Sequence, residues 1–285
     1  MRNERAAASR VSRGAARGRP WQAAAYEDDD FEGVWIARPD GSRRRLLAPS
    51  GVDPAWSPAG RLIAYNNYSV GTFVASVDGS SKWRLRDPGD LAWSPDGHEL
   101  ALDNGRSLRI VGFRGKHART LATADPPPFV SPFERLAWSA SNWLSYRRGE
   151  ELFIVSPIGG VPRSLATGLM PSTNFYNYFG DYADFAWSPD GRRVAFARDG
   201  GLWVMTVPDG TPRLVVPGQR VGFGAAPQWS PDGRLIAYVR GARHGYNVFT
   251  VPANGGQPAL FGTFNDRTTG EEFVVDIDWR ARPRR

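Results

Sequence analysis

The run Trp187-Ser188-Pro189-Asp190-Gly191-Arg192-Arg193-Val194-Ala195-Phe196-Ala197 decides the fold of this 285-residue chain. Proline presets φ for the first turn position, aspartate caps the turn with its side chain, and glycine supplies the positive φ that closes it. A strand ending at Trp187 therefore reverses into a second strand of alternating small and large apolar residues. Leu202–Val207 follows as a third strand, Pro208-Asp209-Gly210 as its turn, and Arg213–Val216 as a short fourth strand. One such unit is a four-stranded antiparallel sheet.

The unit recurs. Trp56-Ser57-Pro58-Ala59-Gly60, Trp93-Ser94-Pro95-Asp96-Gly97 and Trp229-Ser230-Pro231-Asp232-Gly233 are further copies, and Trp138-Ser139-Ala140-Ser141 and Trp279 are degenerate ones. The tryptophans are spaced by 37, 45, 49, 42 and 50 residues, the length of one propeller blade per step. The chain is thus expected to be an all-β six-bladed propeller of four-stranded antiparallel blades over residues 21–279. The repeated tryptophan is read as packing between neighbouring blades, where a large aromatic fills the wedge between sheets. At the N-terminus, Trp21–Tyr26, Gly33–Arg38 and Arg44–Ala48 read as second, third and fourth strands. Phe273–Trp279 is expected to supply the missing first strand from the C-terminus and so close the ring without an open edge.

The net charge of +7 and the pI of about 10.0 invite a nucleic-acid reading. Their location removes it. Ten of the 36 basic residues and one of the 29 acidic ones lie in 1–20 and 280–285, which leaves 26 basic and 28 acidic residues in 21–279. A sequence-independent nucleic-acid binder carries its basic stripe on the folded surface, so no nucleic-acid partner is expected. Residues 1–20 are expected to be a disordered basic leader or to follow a start codon called upstream of the domain, because they lack the apolar run of a signal peptide. Residues 280–285 read as a basic tail. The apolar runs fall far short of the roughly 20 residues that span a bilayer. The absence of cysteine excludes disulfides and thiolate chemistry and leaves the compartment open.

The repeated Trp-Ser-Pro-Asp-Gly-Arg-x-Ile-Ala-Tyr followed by a strand ending in Pro-Asp-Gly resembles the TolB-type, WD-repeat-like propeller repeat, over about residues 20–279. The resemblance implies a periplasmic or exported propeller, expected to be a monomer. It departs from TolB in that residues 1–20 cannot hold the small α/β domain that precedes the propeller there, which sets aside the Tol-Pal role. The same repeat occurs in propellers of prolyl-oligopeptidase-type peptidases, so fold does not fix function.

Catalytic constellations are not evident. The sequence has no Gly-x-Ser-x-Gly elbow with an α/β segment behind it and no phosphate-binding Gly-Lys-Ser or Gly-Lys-Thr loop. His98, His117 and His244 fall in or beside turns on different blades, spaced unlike a metal site. No cofactor is expected.

Propeller loops alternate between two faces. The Trp-Ser-Pro-Asp-Gly hairpins and the turns after third strands share one face and are short and uniform. Length and irregularity concentrate on the other, where departures from a rigid repeat usually bind ligands. There lie Pro126-Pro127-Pro128-Phe129 and Phe133, the aromatic run Phe175, Tyr176, Tyr178, Phe179 and Tyr182, Arg220 with Phe223, Asn66, Asn67 and Tyr68, and Arg240, Arg243, His244 and Tyr246. Tyrosine rings offer contact area with a hydrogen-bonding tip at low entropic cost, so a protein or peptide partner is expected at Phe175, Tyr176, Tyr178, Phe179, Tyr182, Arg220, Phe223, Arg243 and His244. The aromatic loop reads equally as a plug over the channel mouth.

A second pattern stands three residues before each tryptophan: Asp53, Asp90, Arg135, Asp184, Ala226 and Asp276. With the first strand innermost, Asp53, Asp90, Asp184 and Asp276 would ring the channel entrance and could hold a divalent cation such as calcium. The plainer alternative is that each carboxylate caps local backbone N–H groups or pairs with Arg135. The sequence thus points first to non-catalytic binding. A hydrolase or lyase at the acidic mouth and a detached propeller gating a separate peptidase remain alternatives.

Overall fold

The computed structural model describes residues 11–13, 24–28, 31–37, 43–67, 69–85, 89–104, 106–123, 134–169, 185–218, 227–242 and 245–264. These residues form six four-stranded antiparallel sheets, each paired in chain order. The first contains Val11–Arg13, Ala24–Asp28, Phe31–Ala37 and Arg45–Pro49. The second contains Val52–Trp56, Leu62–Asn67, Gly71–Ser76 and Lys82–Arg84, and the third Leu91–Trp93, Glu99–Asp103, Ser107–Gly112 and Arg119–Thr123. The fourth contains Glu134–Trp138, Leu144–Arg148, Glu151–Val155 and Arg163–Ala166. Phe185–Trp187, Arg193–Arg198, Gly201–Thr206 and Arg213–Val216 make the fifth, and Gln228–Trp229, Leu235–Ala242, Gly245–Pro252 and Ala259–Phe264 the sixth.

The first sheet departs from expectation. Its first strand is Val11–Arg13, paired with Ala24–Tyr26, in the place assigned to Phe273–Trp279. Those C-terminal residues lie outside the described ones. A three-residue strand within the basic leader was not foreseen, because pairing between distant segments leaves no local turn signal. The second strand runs to Asp28, which pairs with Phe31, so the third strand also begins earlier than expected.

The chain divides into two compact units, Met1–Trp138 with Ser156–Gly160, and Ser139–Val155 with Val161–Arg285. In each, neighbouring sheets pack face to face by strict alternation along the strands. Ile63 and Tyr65 join Val34, Ile36 and Ala48 of the first sheet. Ala64, between them in sequence, faces the other way onto Trp93, Leu100, Leu102 and Val111 of the third. In the second unit Ala195, Leu202, Val204, Val215 and Val216 meet Trp229, Ile236, Tyr238 and Val251 in the same manner. Each fully buried Ile, Leu or Val contributes about 1.5–3 kcal/mol. Moving any of these strands by one residue would turn its whole apolar set outward.

Candidate functional site

Each sheet has two ends with different chemistry. At the hairpin end the repeat closes on itself. The motif serine is buried in every copy, at 1–4% exposure for Ser57, Ser94, Ser139, Ser188 and Ser230. Its Oγ accepts a backbone N–H at the start of the next strand, from Leu62, Glu99, Arg193 and Leu235, or just before it, from Trp143, at 2.9–3.0 Å. The hydroxyl then donates to the motif aspartate, at 2.6, 2.5 and 2.7 Å to Asp96, Asp190 and Asp232. Each carboxylate also accepts the N–H two residues on, from His98, Arg192 and Arg234. The serine hydroxyl foremost holds all three carboxyls below their usual range, with these N–H groups adding to the effect. Gly97, Gly191 and Gly233 take φ of +74°, +69° and +68° as the turn requires. Sequence reasoning assigned roles to Pro, Asp and Gly here and missed the serine.

Neighbouring sheets are tied by two repeated donors. The indole Nε1 of Trp93 donates to Ala55 O at 3.0 Å and that of Trp229 to Ala186 O at 3.0 Å, while Trp187 reaches Ser145 Oγ at 2.8 Å. In two of the three ties the acceptor is the carbonyl just before the preceding sheet's tryptophan. Trp56 Nε1 is buried and finds no hydrogen-bond partner among the described residues. The second donor is an arginine opening the fourth strand, which reaches the turn after the next sheet's third strand. Arg119 bonds Pro157 O, Arg163 bonds Pro208 O and Asp209, and Arg213 bonds Asn254 O and Ala253 O. These basic residues are structural ties.

The opposite end is less uniform. In the second sheet Asn66, 1% exposed, donates to Gly89 O at 2.8 Å and accepts from Thr72 Oγ1 at 2.8 Å. A Cβ on Gly89 would lie 1.5 Å from Asp103 O, so only glycine lets this connection pass. Buried Asp103 occupies the corresponding position of the third sheet and buried Arg147 that of the fourth. One position further on, the fifth and sixth sheets carry Arg198 and Arg240. Arg198 lies with its guanidinium carbon 3.9 Å from the Trp203 ring centre, and Arg240 5.2 Å from that of Phe249 and 5.5 Å from that of Tyr238. Among the described residues the Nε of each arginine, Asn247 Oδ1 and Tyr238 Oη are buried and find no hydrogen-bond partner. Burial pushes the Tyr238 phenol up, and the Arg240 guanidinium pulls it partly back.

The nine residues expected to bind a partner, Phe175, Tyr176, Tyr178, Phe179, Tyr182, Arg220, Phe223, Arg243 and His244, lie outside the described residues. So do Asp184 and Asp276. Asp53 stands at φ +49° beside a break in strand register and accepts from Asn66 Nδ2 at 3.5 Å. Asp90 uses its carbonyl to accept the Asp103 N–H at 2.9 Å. Among the described residues no three His, Asp or Glu side chains gather as a metal site requires.

No protein-family model matches the chain, and no curated protein does. Solved structures match at low identity. TolB from Acinetobacter baumannii is 16% identical over 87% of this chain and 61% of its own, with a TM-score of 0.50. This chain therefore spans about three fifths of that protein's length. The β-propeller domain of Cps50 (Swd1) from Myceliophteria thermophila is 15% identical over 92% of this chain and 87% of its own, with a TM-score of 0.63. An oligogalacturonate lyase in complex with manganese is 8% identical over 93% and 81%, with a TM-score of 0.64. The likeness is one of fold: the chain is an all-β, multibladed propeller, similar in fold to TolB and to WD-repeat propellers.

Proposed function

We propose that this chain is a non-catalytic propeller that binds a protein or peptide through the irregular-loop ends of its sheets. One observation carries the reading. At the hairpin ends the motif hydroxyls and carboxylates are consumed by their own turns, whereas the opposite ends hold, in the second unit, buried polar atoms without partners among the described residues and lead into the loops that break the repeat. The aromatic run of residues 175–182 supplies the contact surface. Affinity purification from the cell envelope with the full chain, with residues 167–184 replaced by a short Gly-Ser linker, and with Tyr176, Tyr178 and Tyr182 changed to Ala tests this. Loss of the co-purifying proteins in both variants is expected. An unchanged set would overturn the reading.

The manganese-bound lyase among the fold relatives supports a second reading, bond cleavage at Asp53, Asp90, Asp184 and Asp276 around a divalent cation. Calorimetric titration with calcium and with manganese separates the two. Binding heat that disappears on changing Asp53 and Asp90 to Asn would favour the second.

A further inference from the structure

The ends of the second strands differ in charge between the two units. In the first unit they are Asn66-Asn67 and Asp103-Asn104. In the second they are Arg147-Arg148, Arg198 and Arg240. At the repeat position of Asn67 and Asn104 the second unit thus carries Arg148, Arg198 and Arg240, with Arg147 one position earlier, and the repeat itself gives no reason for it: Tyr65, Leu102, Tyr146, Phe196 and Tyr238, one or two residues earlier, are apolar fillers at 0–8% exposure.

Arg198 and Arg240 are also built alike. Each guanidinium lies near an aromatic residue placed diagonally on the neighbouring strand, Trp203 or Phe249. Each has its Nε shut from water and without a hydrogen-bond acceptor among the described residues. A ring face holds a guanidinium in one plane while satisfying none of its N–H groups, so the charge is fixed in direction and poorly solvated. The one nearby acid is Asp199, whose Oδ2 stands 3.6 Å from Arg198 Nε and is 77% exposed, where water screens it strongly. Among the described residues Arg240 forms no ion pair. Arg198 retains 21% side-chain exposure, and Arg240 is half-buried, so neither side chain is wholly withdrawn from solvent. Both sit where the irregular loops leave the fold. Leu169 bridges Arg198 in antiparallel fashion at the start of the 170–184 segment, and Val216, which packs with Tyr238, precedes the loop that begins at residue 217.

We infer that the second unit presents Arg198 and Arg240 as oriented carboxylate receptors, and that its partner is an acidic, extended peptide segment. This rests on the binding reading above and adds the chemistry of the partner. Charge complementarity is the argument: among the described residues Arg240 has no acidic partner and Arg198 only the well-exposed Asp199, so an anion would meet two weakly compensated charges, and charge-assisted N–H···O⁻ bonds are the strong kind.

Fluorescence anisotropy with labelled deca-glutamate, deca-lysine and a Gly-Ser decapeptide tests the inference on the full chain. Deca-glutamate alone should bind, more weakly as salt rises. The double variant Arg198→Gln, Arg240→Gln should weaken it by about tenfold per arginine. The equally charged control Arg192→Gln, Arg234→Gln, two exposed arginines at the hairpin end, should change it less than about twofold. If the glutamine pair does not fold, Arg198→Lys with Arg240→Lys is read instead; it keeps the charge and loses the planar fork, so a several-fold weakening is expected and unchanged binding overturns the inference. No deca-glutamate binding by the native chain, or equal losses in the glutamine pair and the control, also overturns it. The parent reading fails separately. If envelope partners are lost on removing residues 167–184 yet held by the arginine variants, binding at the loops stands and the acidic chemistry falls. If the loop removal changes nothing, the parent reading falls.

Discussion

Three motif tryptophans of nearly equal burial, Trp56, Trp93 and Trp229 at 9, 8 and 6% exposure, allow the indole hydrogen bond to be weighed by itself. Trp93 and Trp229 donate to main-chain carbonyls at 3.0 Å, whereas Trp56 Nε1 finds no acceptor among the described residues. Changing each to Phe removes the same ring volume from a wedge between sheets, at a packing cost of about 1–3 kcal/mol that is common to all three. At positions 93 and 229 the change also abolishes a hydrogen bond of about 1 kcal/mol and strands a carbonyl. At position 56 it removes a buried donor that was already unpartnered, which offsets about 1 kcal/mol or more of the packing loss. Trp93→Phe should therefore be less stable than Trp56→Phe by about 2 kcal/mol, with Trp229→Phe close to Trp93→Phe. The assay is urea unfolding followed by far-ultraviolet circular dichroism, since tryptophan emission changes with the substitution itself. The midpoints are compared at equal slope. Equal losses at 56 and 93, within about 0.5 kcal/mol, would refute the argument.

Further outcomes follow from the turns and ties. Gly191→Ala should cost more than about 3 kcal/mol, because the new Cβ would lie 2.3 Å from Ser141 N at φ +69°; Gly159→Ala, with open space around it, should cost only the penalty of positive φ, about 1 kcal/mol. Thermal melts rank the two, and similar losses would count against the contact. Arg213→Ala should destabilise by about 1 kcal/mol through its two carbonyl contacts, and Arg213→Lys should restore less than half of that because one ammonium cannot span both oxygens; full rescue by lysine would contradict the forked tie. The turn carboxyls Asp96, Asp190 and Asp232 lie below their unfolded values, so the stability they lend is complete above about pH 5 and drains away as pH falls through the folded values below about 4. The melting temperature should fall over that range, and less steeply in the triple Asp→Asn variant; parallel slopes would show that other groups carry the acid sensitivity.

The sequence revealed what local chemistry writes into it. A Ser-Pro-Asp-Gly turn followed by a period-two strand is complete within a dozen residues, so the fifth sheet was read almost to the residue: Leu202–Val207 was expected and Gly201–Thr206 found, and Arg213–Val216 was matched. The first strand of the first sheet was not read, because its partner is fixed by pairing rather than by a turn. The site was legible only in outline. Arg240 and Asn66 were singled out as loop neighbours, but Arg147 and Arg198 were passed over, since alignment on the tryptophan draws the eye to the first strand. Alignment on the last residues of the second strand exposes the exchange of amide for guanidinium. The arginines that open fourth strands escaped notice for a different reason: their acceptors are carbonyls some 40 residues away, and a carbonyl has no letter in the sequence.

That last property has a consequence for how the repeat tolerates change. Arg119 and Arg213 grip only main-chain oxygens in the neighbouring turn, so their grip asks for a backbone shape and not for particular side chains there, whereas Arg163 also holds the Asp209 carboxylate. The two turns gripped this way, Ser156-Pro157-Ile158-Gly159 and Pro252-Ala253-Asn254-Gly255, are each closed by the glycine N–H on the carbonyl three residues back, two spellings of one shape. Substitutions that keep the bend are therefore invisible to the arginine, and these turns are free to drift, or to be rewritten by an engineer, while the spacing between sheets stays anchored.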